Sequence, residues 1–203
     1  MKKDVLIRIV DDDASVRDAL IYVLDLEGFN IVAYSSAEEF LVNDMPSRPG
    51  VVVLDVRMNG MSGTQLQEEM IRRRNKTPII FLTGHGDIDM AVKAMRNGAF
   101  HFLQKPVDTE KLVKTIRECL QQVSRQRSRE FVEEAMETLT PRERQIAGLL
   151  MQGLNNQSIA ARLNLSVRTV ENHRAAVYGK LRVNSYDELE NLLRIYDTRD
   201  LIP

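Results

Sequence analysis

The run Val51-Val52-Val53-Leu54-Asp55 decides the fold of the first half of this chain, because a short, wholly apolar segment ends there in a carboxylate. Three more apolar runs also lead into polar residues, and they are Val5–Val10 before Asp11-Asp12-Asp13, Ile79–Leu82 before Thr83, and Phe100–Leu103 before Gln104-Lys105-Pro106. In open α/β sheets, binding sites form outside the carboxyl ends of the strands. The sequence therefore predicts one sheet edge that carries acids, a hydroxyl and an ammonium group.

The pattern around these runs alternates between strand-like and helix-like segments. Strands are predicted near residues 5–10, 30–34, 51–54, 78–82 and 99–103, and helices near 14–27, 36–43, 63–75, 87–97 and 108–120. Alternation of this kind indicates right-handed βαβ units and a parallel sheet with helices on both faces. Gly28 and Gly98 lie where helix C-caps are expected, and Asp13 is interpreted as an N-cap. We predict a doubly wound α/β domain over residues 1–120.

Residues 121–138 are polar, and they contain neither glycine nor proline. This composition predicts that the fifth helix continues as a helical linker. Arginines precede glutamates along it, so we interpret it as a solvated helix with internal ion pairs. The alternative, a coiled-coil contact with a second chain, has too few apolar positions to form a heptad pattern.

The remaining residues, 139–203, are helical by pattern. Thr140-Pro141-Arg142-Glu143 is a capping box with proline at the first helical position. A second helix is expected from Asn156 to Leu163, a third from about Val167 to Leu181, and a fourth from Ser185 to Ile195 with an apolar stripe of Leu189, Leu192, Leu193 and Tyr196. We predict an all-α domain of four helices.

The overall charge of −1 conceals a basic block, since residues 139–183 contain seven basic and two acidic residues. Such a block indicates a polyanionic partner for that part of the chain. The longest apolar runs are far too short for a membrane span, so no membrane association is expected. The N-terminus lacks a signal-peptide pattern, and the single Cys119 cannot form an internal disulfide. These features fit a reducing cytosol, and we expect a cytoplasmic protein.

The acids at the sheet edge suit a divalent cation. Asp11, Asp12 and Asp55 form a cluster of hard oxygen ligands, which Mg²⁺ prefers. With the cation bound, Asp55 can attack phosphorus as a nucleophile and form an acyl phosphate. Lys105 can neutralise the charge on the phosphoryl oxygens, and Thr83 can donate a hydrogen bond to one of them. His85 and His101 are interpreted as a loop residue and a strand residue, not as ligands.

Residues 4–120 resemble the receiver domain of two-component response regulators. The matching stretches are Val10-Asp11-Asp12-Asp13, Asp55-Val56-Arg57-Met58 with Met61-Ser62-Gly63, Thr83-Gly84-His85-Gly86-Asp87, and Phe102-Leu103-Gln104-Lys105-Pro106. The resemblance implies a flavodoxin-like fold and transfer of a phosphoryl group from a sensor histidine kinase to Asp55. It also implies the metal ligands: Asp12 and Asp55 bind Mg²⁺ directly, Asp11 binds it through water, and the backbone carbonyl of Arg57 is the last protein ligand. In the same resemblance, Thr83 and Phe102 are the switch residues, and Lys105 contacts the phosphate.

One position departs from the family pattern. The family usually has proline after the methionine of Asp-x-x-Met, whereas Asn59-Gly60 follows Met58 here. We expect this change to loosen the loop beside Asp55 without abolishing activity. The resemblance also implies that the Lys105–Pro106 bond is cis.

Residues 139–200 resemble the LuxR-type, or NarL/FixJ-type, DNA-binding domain, which contains a helix-turn-helix. The matching stretches are Leu139–Glu143, Gly153–Ala160 and Leu165–Arg174. In this interpretation the recognition helix spans about 167–181 and buries Val170, Val177 and Leu181. The predicted small core consists of Ile159, Leu163, Val167, Val170 and Leu181.

The residue types on the recognition helix indicate how it reads double-stranded DNA. Base readout is assigned to Glu171, Asn172 and Ala175, with Arg174 as a further candidate, because amide, carboxylate and small apolar groups suit adenine, cytosine and thymine edges. Phosphate contacts, which position the domain without specifying sequence, are assigned to Arg168, Thr169, His173, Lys180, Asn155 and Asn156.

Together these resemblances predict a two-domain transcription factor, closest in pattern to FixJ-type regulators. We expect a homodimer on phosphorylation, formed through residues 92–103 and from Leu112 onward, or a homodimer on DNA, formed through the fourth helix. RNA polymerase is expected as a further partner. Three alternatives remain open: an aspartyl-phosphate phosphohydrolase, a constitutive DNA-binding protein with a decayed receiver, and a receiver with a purely protein–protein output. Arg57 stands where such phosphohydrolases carry a second acid, so we do not expect an enzyme.

Overall fold

The computed structural model describes residues 5–84 and 88–194 of the chain. The strands are β1 (Leu6–Val10), β2 (Asn30–Tyr34), β3 (Gly50–Asp55), β4 (Ile79–Thr83) and β5 (His101–Gln104). The helices are α1 (Ala14–Leu26), α2 (Ala37–Asn43), α3 (Gly63–Arg72), α4 (Ile88–Arg96), α5 (Thr109–Glu137), α6 (Pro141–Met151), α7 (Asn156–Leu163), α8 (Val167–Leu181) and α9 (Tyr186–Leu193). Residue contacts divide the chain into two compact units, 1–123 and 124–203.

The first unit is a parallel sheet of five strands in the order β2-β1-β3-β4-β5. Strands β1, β3 and β4 are buried along their whole length, as the uninterrupted apolar runs predict. One face packs against α1 and α5 around Ile9, Val53 and Leu112. The opposite face packs against α2, α3 and α4 around Phe40 and Phe81. The predicted doubly wound fold is confirmed.

Several local predictions are confirmed as well. The Asp13 carboxylate accepts hydrogen bonds from the backbone N–H groups of Ser15 and Val16, so it is the N-cap of α1. Gly28 and Gly98 have φ values of +76° and +87°. Glycine adopts this left-handed conformation without a Cβ penalty, and it therefore ends a helix readily.

The second unit is all helical, and α6, α7, α8 and α9 contribute to its core. Ile146, Ile159, Val170, Val177 and Leu189 are fully buried there. The capping box predicted at Thr140 is present, with the Thr140 side chain bonded to the Glu143 backbone and the Glu143 side chain bonded to the Thr140 backbone. Helix α9 is described to Leu193, so the predicted continuation to Ile195 and the stripe residue Tyr196 lie outside the described residues.

Helix α5 contradicts one interpretation made from the sequence. It runs continuously to Glu137, as predicted, but its last turns are not a solvated linker. Val132, Ala135 and Met136 are buried with Leu139 in the core of the second unit. Their spacing of i, i+3, i+4 and i+7 is that of one helix face, and this was the signal available in the sequence. The segment from Val132 onward is therefore part of the second unit.

Another correction concerns Val167, which was predicted to lie in the small core. Its exposed fraction is 39%, because it is the first residue of α8 and lies beside the N-cap Ser166. Leu163 is half-buried against the core, and the other three predicted core residues are buried. Within the described ranges, no helix combines the length and the apolar character needed to cross a membrane.

Candidate functional site

Three carboxylates meet at the carboxyl edge of the sheet in the first unit. Val10 and Leu54 are register partners in β1 and β3, so Asp11 and Asp55, the next residue of each, are adjacent. One carboxylate oxygen from each of Asp11, Asp12 and Asp55 lies within 4.8 Å of the others. Asp11 and Asp55 are buried, with exposed fractions of 0% and 6%. This cluster has the geometry and the hard oxygen donors to hold a divalent cation.

Lys105, directly after β5, neutralises part of this negative charge. Its Nζ lies 2.8 Å from Asp11 Oδ2 and 3.1 Å from Asp55 Oδ1. Burial lowers the pKa of the Lys105 ammonium, but the bonds to Asp11 and Asp55 outweigh that effect and hold the pKa above its ordinary value. The bond to Pro106 is cis, as the resemblance implies.

The carboxyl group of Asp55 is harder to ionise than that of an ordinary aspartate. Burial raises its pKa above the ordinary aspartate value, and the charge on Asp11 adds to the rise, whereas Lys105 opposes it. The cause is the unfavourable placement of a negative charge in a poorly solvated site. A cation beside the three carboxylates would favour the ionised form, which is the form that can act as a nucleophile.

Thr83 and Phe102 lie on neighbouring strands beside this cluster. Thr83 is the last residue of β4 and is buried. Its hydroxyl donates a long hydrogen bond of 3.5 Å to the carbonyl of Leu103. Phe102 has an exposed fraction of 42%, and its ring forms a T-shaped pair with the ring of His101. The predicted loop residue His85 lies outside the described residues.

The loop between β3 and α3 contains contacts that sequence reasoning missed. The backbone N–H and the side-chain Nδ2 of Asn59 both donate to Asp12 Oδ2, at 2.8 and 2.7 Å. The backbone N–H of Met61 donates to Glu38 Oε1 at 3.0 Å. Asn59 therefore ties this loop to the acidic cluster at the position where the family usually has proline. Arg57, predicted to offer its carbonyl, is exposed in the same loop.

The second unit contains the predicted helix-turn-helix in α7, residues 164–166 and α8. Asn164 takes the left-handed conformation at the end of α7, and the Ser166 side chain caps α8. Arg168, Glu171, Asn172 and Ala175 are all exposed. Their spacing of i, i+3, i+4 and i+7 places them on one side of α8, while Val170, Val177 and Leu181 form the buried side.

Other residues predicted to contact DNA are engaged within the unit. The Arg174 guanidinium donates to Asn156 Oδ1 at 3.3 Å and to the Tyr178 hydroxyl at 2.9 Å, so it links α7 to α8. Lys180 donates to Glu143 Oε2 at 2.7 Å and to the carbonyl of Thr138 at 3.0 Å. These bonds use two of the three N–H donors of the ammonium.

Of the three remaining predicted contacts, Asn155 and Thr169 lie at the N-terminal ends of α7 and α8, and His173 lies in the middle of α8. The Asn155 side chain caps α7 by accepting from the backbone N–H of Ser158. Thr169 is hydrogen-bonded to the hydroxyl of Ser166, and His173 is half-buried. Helix N-termini present free N–H groups that suit phosphate oxygens.

Comparisons with known proteins assign a family to each part of the chain. Residues 7–117 match the family model described as "Response regulator receiver domain". The chain belongs to the response regulators. Residues 137–192 match a second model, "Bacterial regulatory proteins, luxR family". This response regulator is therefore a transcriptional regulator of a two-component system, with a receiver domain and a LuxR-type DNA-binding domain. Its receiver implies a histidine kinase partner, and its second domain implies DNA binding.

Individual relatives extend over nearly the whole response regulator. It is 39% identical to the transcriptional regulatory protein FixJ of Bradyrhizobium diazoefficiens, over 92% of this chain and 93% of that protein. Among solved structures, the response regulator StyR is 39% identical with a TM-score of 0.64, covering 95% of this chain and 100% of that one. Full-length FixJ from B. japonicum is 36% identical with a TM-score of 0.58, covering 95% and 97%. Such homologues are transcriptional regulators and not enzymes, which removes the phosphohydrolase alternative.

Proposed function

We propose that this response regulator accepts a phosphoryl group at Asp55 from a sensor histidine kinase and that the modification controls its binding to DNA. One observation carries the proposal. Asp55 ends a buried strand with the carboxylates of Asp11 and Asp12 beside it and the Lys105 ammonium 3.1 Å from its own oxygen. Isolated strand-end acids are commonly caps, but this convergence of three acids and a lysine suits phosphoryl transfer.

In the proposed reaction, an oxygen of the Asp55 carboxylate attacks the phosphorus of a phosphohistidine. The new O–P bond forms as the P–N bond breaks, and the imidazole of the kinase leaves with the electron pair of that bond. Lys105 moves its hydrogen bonds from the carboxylates to a phosphoryl oxygen. The buried position of Asp55 keeps bulk water from the acyl phosphate.

The cluster fits Mg²⁺. We assign direct binding to Asp12 and Asp55, binding through water to Asp11, and the last protein ligand to the carbonyl of Arg57. A cation bound there would supply positive charge next to the phosphoryl oxygens. The mutual repulsion of three carboxylates whose oxygens lie within 4.8 Å of one another supports this assignment, because only part of that charge is offset by Lys105.

We assign the conformational switch to Thr83 and Phe102. Phosphorylation adds negative charge and acceptor oxygens, which attract the Thr83 hydroxyl, and Phe102 then turns inward behind it. The face formed by α4, β5 and α5 exposes Val92, Met95 and Phe102, with exposed fractions of 46%, 38% and 42%. Exposed apolar side chains grouped in this way favour a protein interface. We propose that this face forms a homodimer on phosphorylation.

For the DNA-binding domain we propose that α8 enters the major groove. Glu171, Asn172 and Ala175 read base edges with Arg174 beside them, and Arg168, Thr169, His173, Lys180, Asn155 and Asn156 contact phosphates. The side chains of Glu171, Asn172 and Ala175 are exposed on one side of α8, which supports their assignment to base readout. A dimer through α9 would place two domains on half-sites related by two-fold symmetry, and RNA polymerase would be the next partner.

The proposal also covers the boundaries of the two functional domains and the cellular location of the protein. We assign phosphoacceptance to residues 1–120 and DNA recognition to residues 139–203. Residues 121–138 join the two as one helix and contribute apolar side chains to the second core. We place the protein in the cytoplasm, where a kinase and DNA are both accessible.

The test is intact mass after incubation with acetyl phosphate and Mg²⁺, for wild type and Asp55→Asn. We expect one phosphoryl adduct in wild type and none in the variant, together with tighter DNA binding by the phosphorylated protein. Absence of an adduct on folded wild type would contradict the assignment and favour constitutive DNA binding by a decayed receiver. An adduct without any change in DNA affinity or oligomeric state would support a receiver with a purely protein–protein output.

A further inference from the structure

Asn59 occupies the position at which the response regulator family usually has proline, and its contacts give it a specific role. Proline has neither a backbone N–H nor a side-chain donor. Asn59 supplies one of each, and both donate to the same oxygen, Asp12 Oδ2, at 2.8 and 2.7 Å. A carboxylate oxygen has two lone pairs. The two bonds therefore occupy Oδ2 and leave Oδ1 of Asp12 for another ligand.

The charges in the cluster show why Asp12 needs such donors. Lys105 bridges Asp11 and Asp55, and the backbone N–H of Asp13 also donates to Asp11. Asp12 is half-buried beside these two carboxylates. Repulsion from the neighbouring charges favours rotation of its side chain towards solvent. The donors of Asn59 oppose that rotation, because each is a hydrogen bond to a charged acceptor.

The loop that carries Asn59 is itself held in place. Gly60 has a φ of +77°, and a Cβ at this residue would lie 3.0 Å from Glu38 Oε1. The same Glu38 oxygen accepts the backbone N–H of Met61. Asn59 is thus followed immediately by a tight turn that Glu38 of α2 anchors, and this turn holds its donors towards Asp12.

We infer that Asn59 is a positioning residue that orients Asp12 for Mg²⁺, by occupying Oδ2 and presenting Oδ1 to the cation. The inference rests on the proposed function, in which Asp12 is a direct ligand. Hydrogen-bond partners of metal ligands orient them, and their loss typically costs about 10–100-fold in metal affinity. Asn59 therefore sets the Mg²⁺ concentration at which Asp55 becomes competent.

The first experiment is a titration of the full chain with MgCl₂, followed by two-dimensional ¹H–¹⁵N NMR. Asn59→Ala removes the amide donor and keeps the backbone N–H, whereas Asn59→Pro removes both. We expect a weaker Mg²⁺ affinity in the first variant and a loss of about 10-fold or more in the second. Asn43→Ala, at an exposed position at the end of α2, is the matched control and should bind as wild type. Equal or tighter binding by both Asn59 variants would overturn the inference.

A second readout separates positioning from a general structural defect. The rate of adduct formation with acetyl phosphate is measured over a range of Mg²⁺ concentrations. We expect both Asn59 variants to reach the wild-type rate at saturating Mg²⁺, with a higher half-saturating concentration. A lower rate at every Mg²⁺ concentration would contradict the inference. If wild type itself shows no Mg²⁺ binding that Asp12→Asn removes, the proposed function fails instead, so the two failures are distinguishable.

Discussion

Replacement of Arg8 by methionine should destabilise the receiver domain more than any surface charge substitution. Arg8 lies in the middle of β1, and its exposed fraction is 0%. Its Nε donates to Asp44 Oδ1, and one terminal nitrogen donates to the carbonyls of Met45 and Arg48 at 2.7 and 2.9 Å. A single buried guanidinium thus holds the whole connection between α2 and β3. Methionine has a similar length and volume but no donors.

The magnitude follows from what the substitution leaves behind. Asp44 has a side-chain exposed fraction of 4%. Among the residues that the structure describes, its carboxylate would retain only the Tyr34 hydroxyl as a donor, at 3.3 Å. Removal of one partner from a buried ion pair costs about 3–5 kcal/mol. For a domain of this size, about 1 kcal/mol lowers Tm by about 4 °C, so Tm should fall by about 12–20 °C. The surface ion pair of Arg72 with Glu69, where the arginine side chain is 75% exposed, contributes little by comparison, because water and salt screen an exposed pair.

Urea denaturation followed by circular dichroism, with hydrogen exchange over residues 6–10 to localise the effect, measures this difference. Arg72→Met is the matched control. The double variant Arg8→Met with Asp44→Leu should recover much of the loss, because an apolar pair can replace a buried ion pair at little cost. A cost for Arg8→Met no larger than that for Arg72→Met, or a double variant as unstable as the single one, would refute the reasoning.

Three further predictions concern other groups. The hydrogen bond from Lys180 is the largest of the causes that lower the pKa of Glu143. Ionised Glu143 therefore stabilises the second unit fully at pH values above the ordinary glutamate pKa of about 4.3. Urea titrations should show that Glu143→Gln costs most near pH 7 and that the cost is lost as the pH falls through the lowered pKa. Asn172→Ala should weaken binding to the cognate site by about 1–3 kcal/mol. Arg168→Ala should instead weaken binding to all DNA sequences and reduce the slope of log binding constant against log salt concentration by about 1. Fluorescence anisotropy over a salt series measures both effects. Burial raises the pKa of Cys119 to about 12, so its reaction with a thiol reagent should be slow in the native protein and fast in urea.

The acidic cluster could be predicted from the sequence because its geometry follows from topology. Alternating strands and helices place all strand ends of a parallel sheet at one edge, so the neighbours of Val10 and Leu54 had to meet. The ends of the strands were enough to predict the positions of four site residues, without any knowledge of loop conformation: Asp11, Asp55, Thr83 and Lys105. The same argument applies to α8, where a period of 3.6 residues separates its exposed and buried sides.

The contacts that were missed depend on conformations that periodicity does not report. Asn59 reaches Asp12 across 47 positions of sequence, through a loop whose shape depends on Gly60 and Glu38. Arg8 lies in an apolar run, and its partner Asp44 is 36 positions away. A charged residue in a strand that is otherwise buried on both sides signals a buried partner, but it does not say which residue that partner is. Periodicity identifies buried faces, whereas pairing of polar groups requires the path of the chain.

The geometry at Thr83 and Phe102 is consistent with a switch that a small free energy can move. The Thr83 hydroxyl bond of 3.5 Å to the Leu103 carbonyl is at the limit of a useful hydrogen bond, so its loss costs little. A bond from the same hydroxyl to a phosphoryl oxygen is charge-assisted and about twice as strong as a neutral one. Phe102 has 42% of its surface in water, and burial of that area contributes about 2 kcal/mol at about 25 cal/mol per Å². The hydrophobic term is the same before and after phosphorylation, so in the proposed switch the charge-assisted bond of Thr83 is the contribution that the phosphoryl group adds. In the proposed switch, phosphorylation of Asp55 therefore moves the Thr83 hydroxyl without having to break a stable contact.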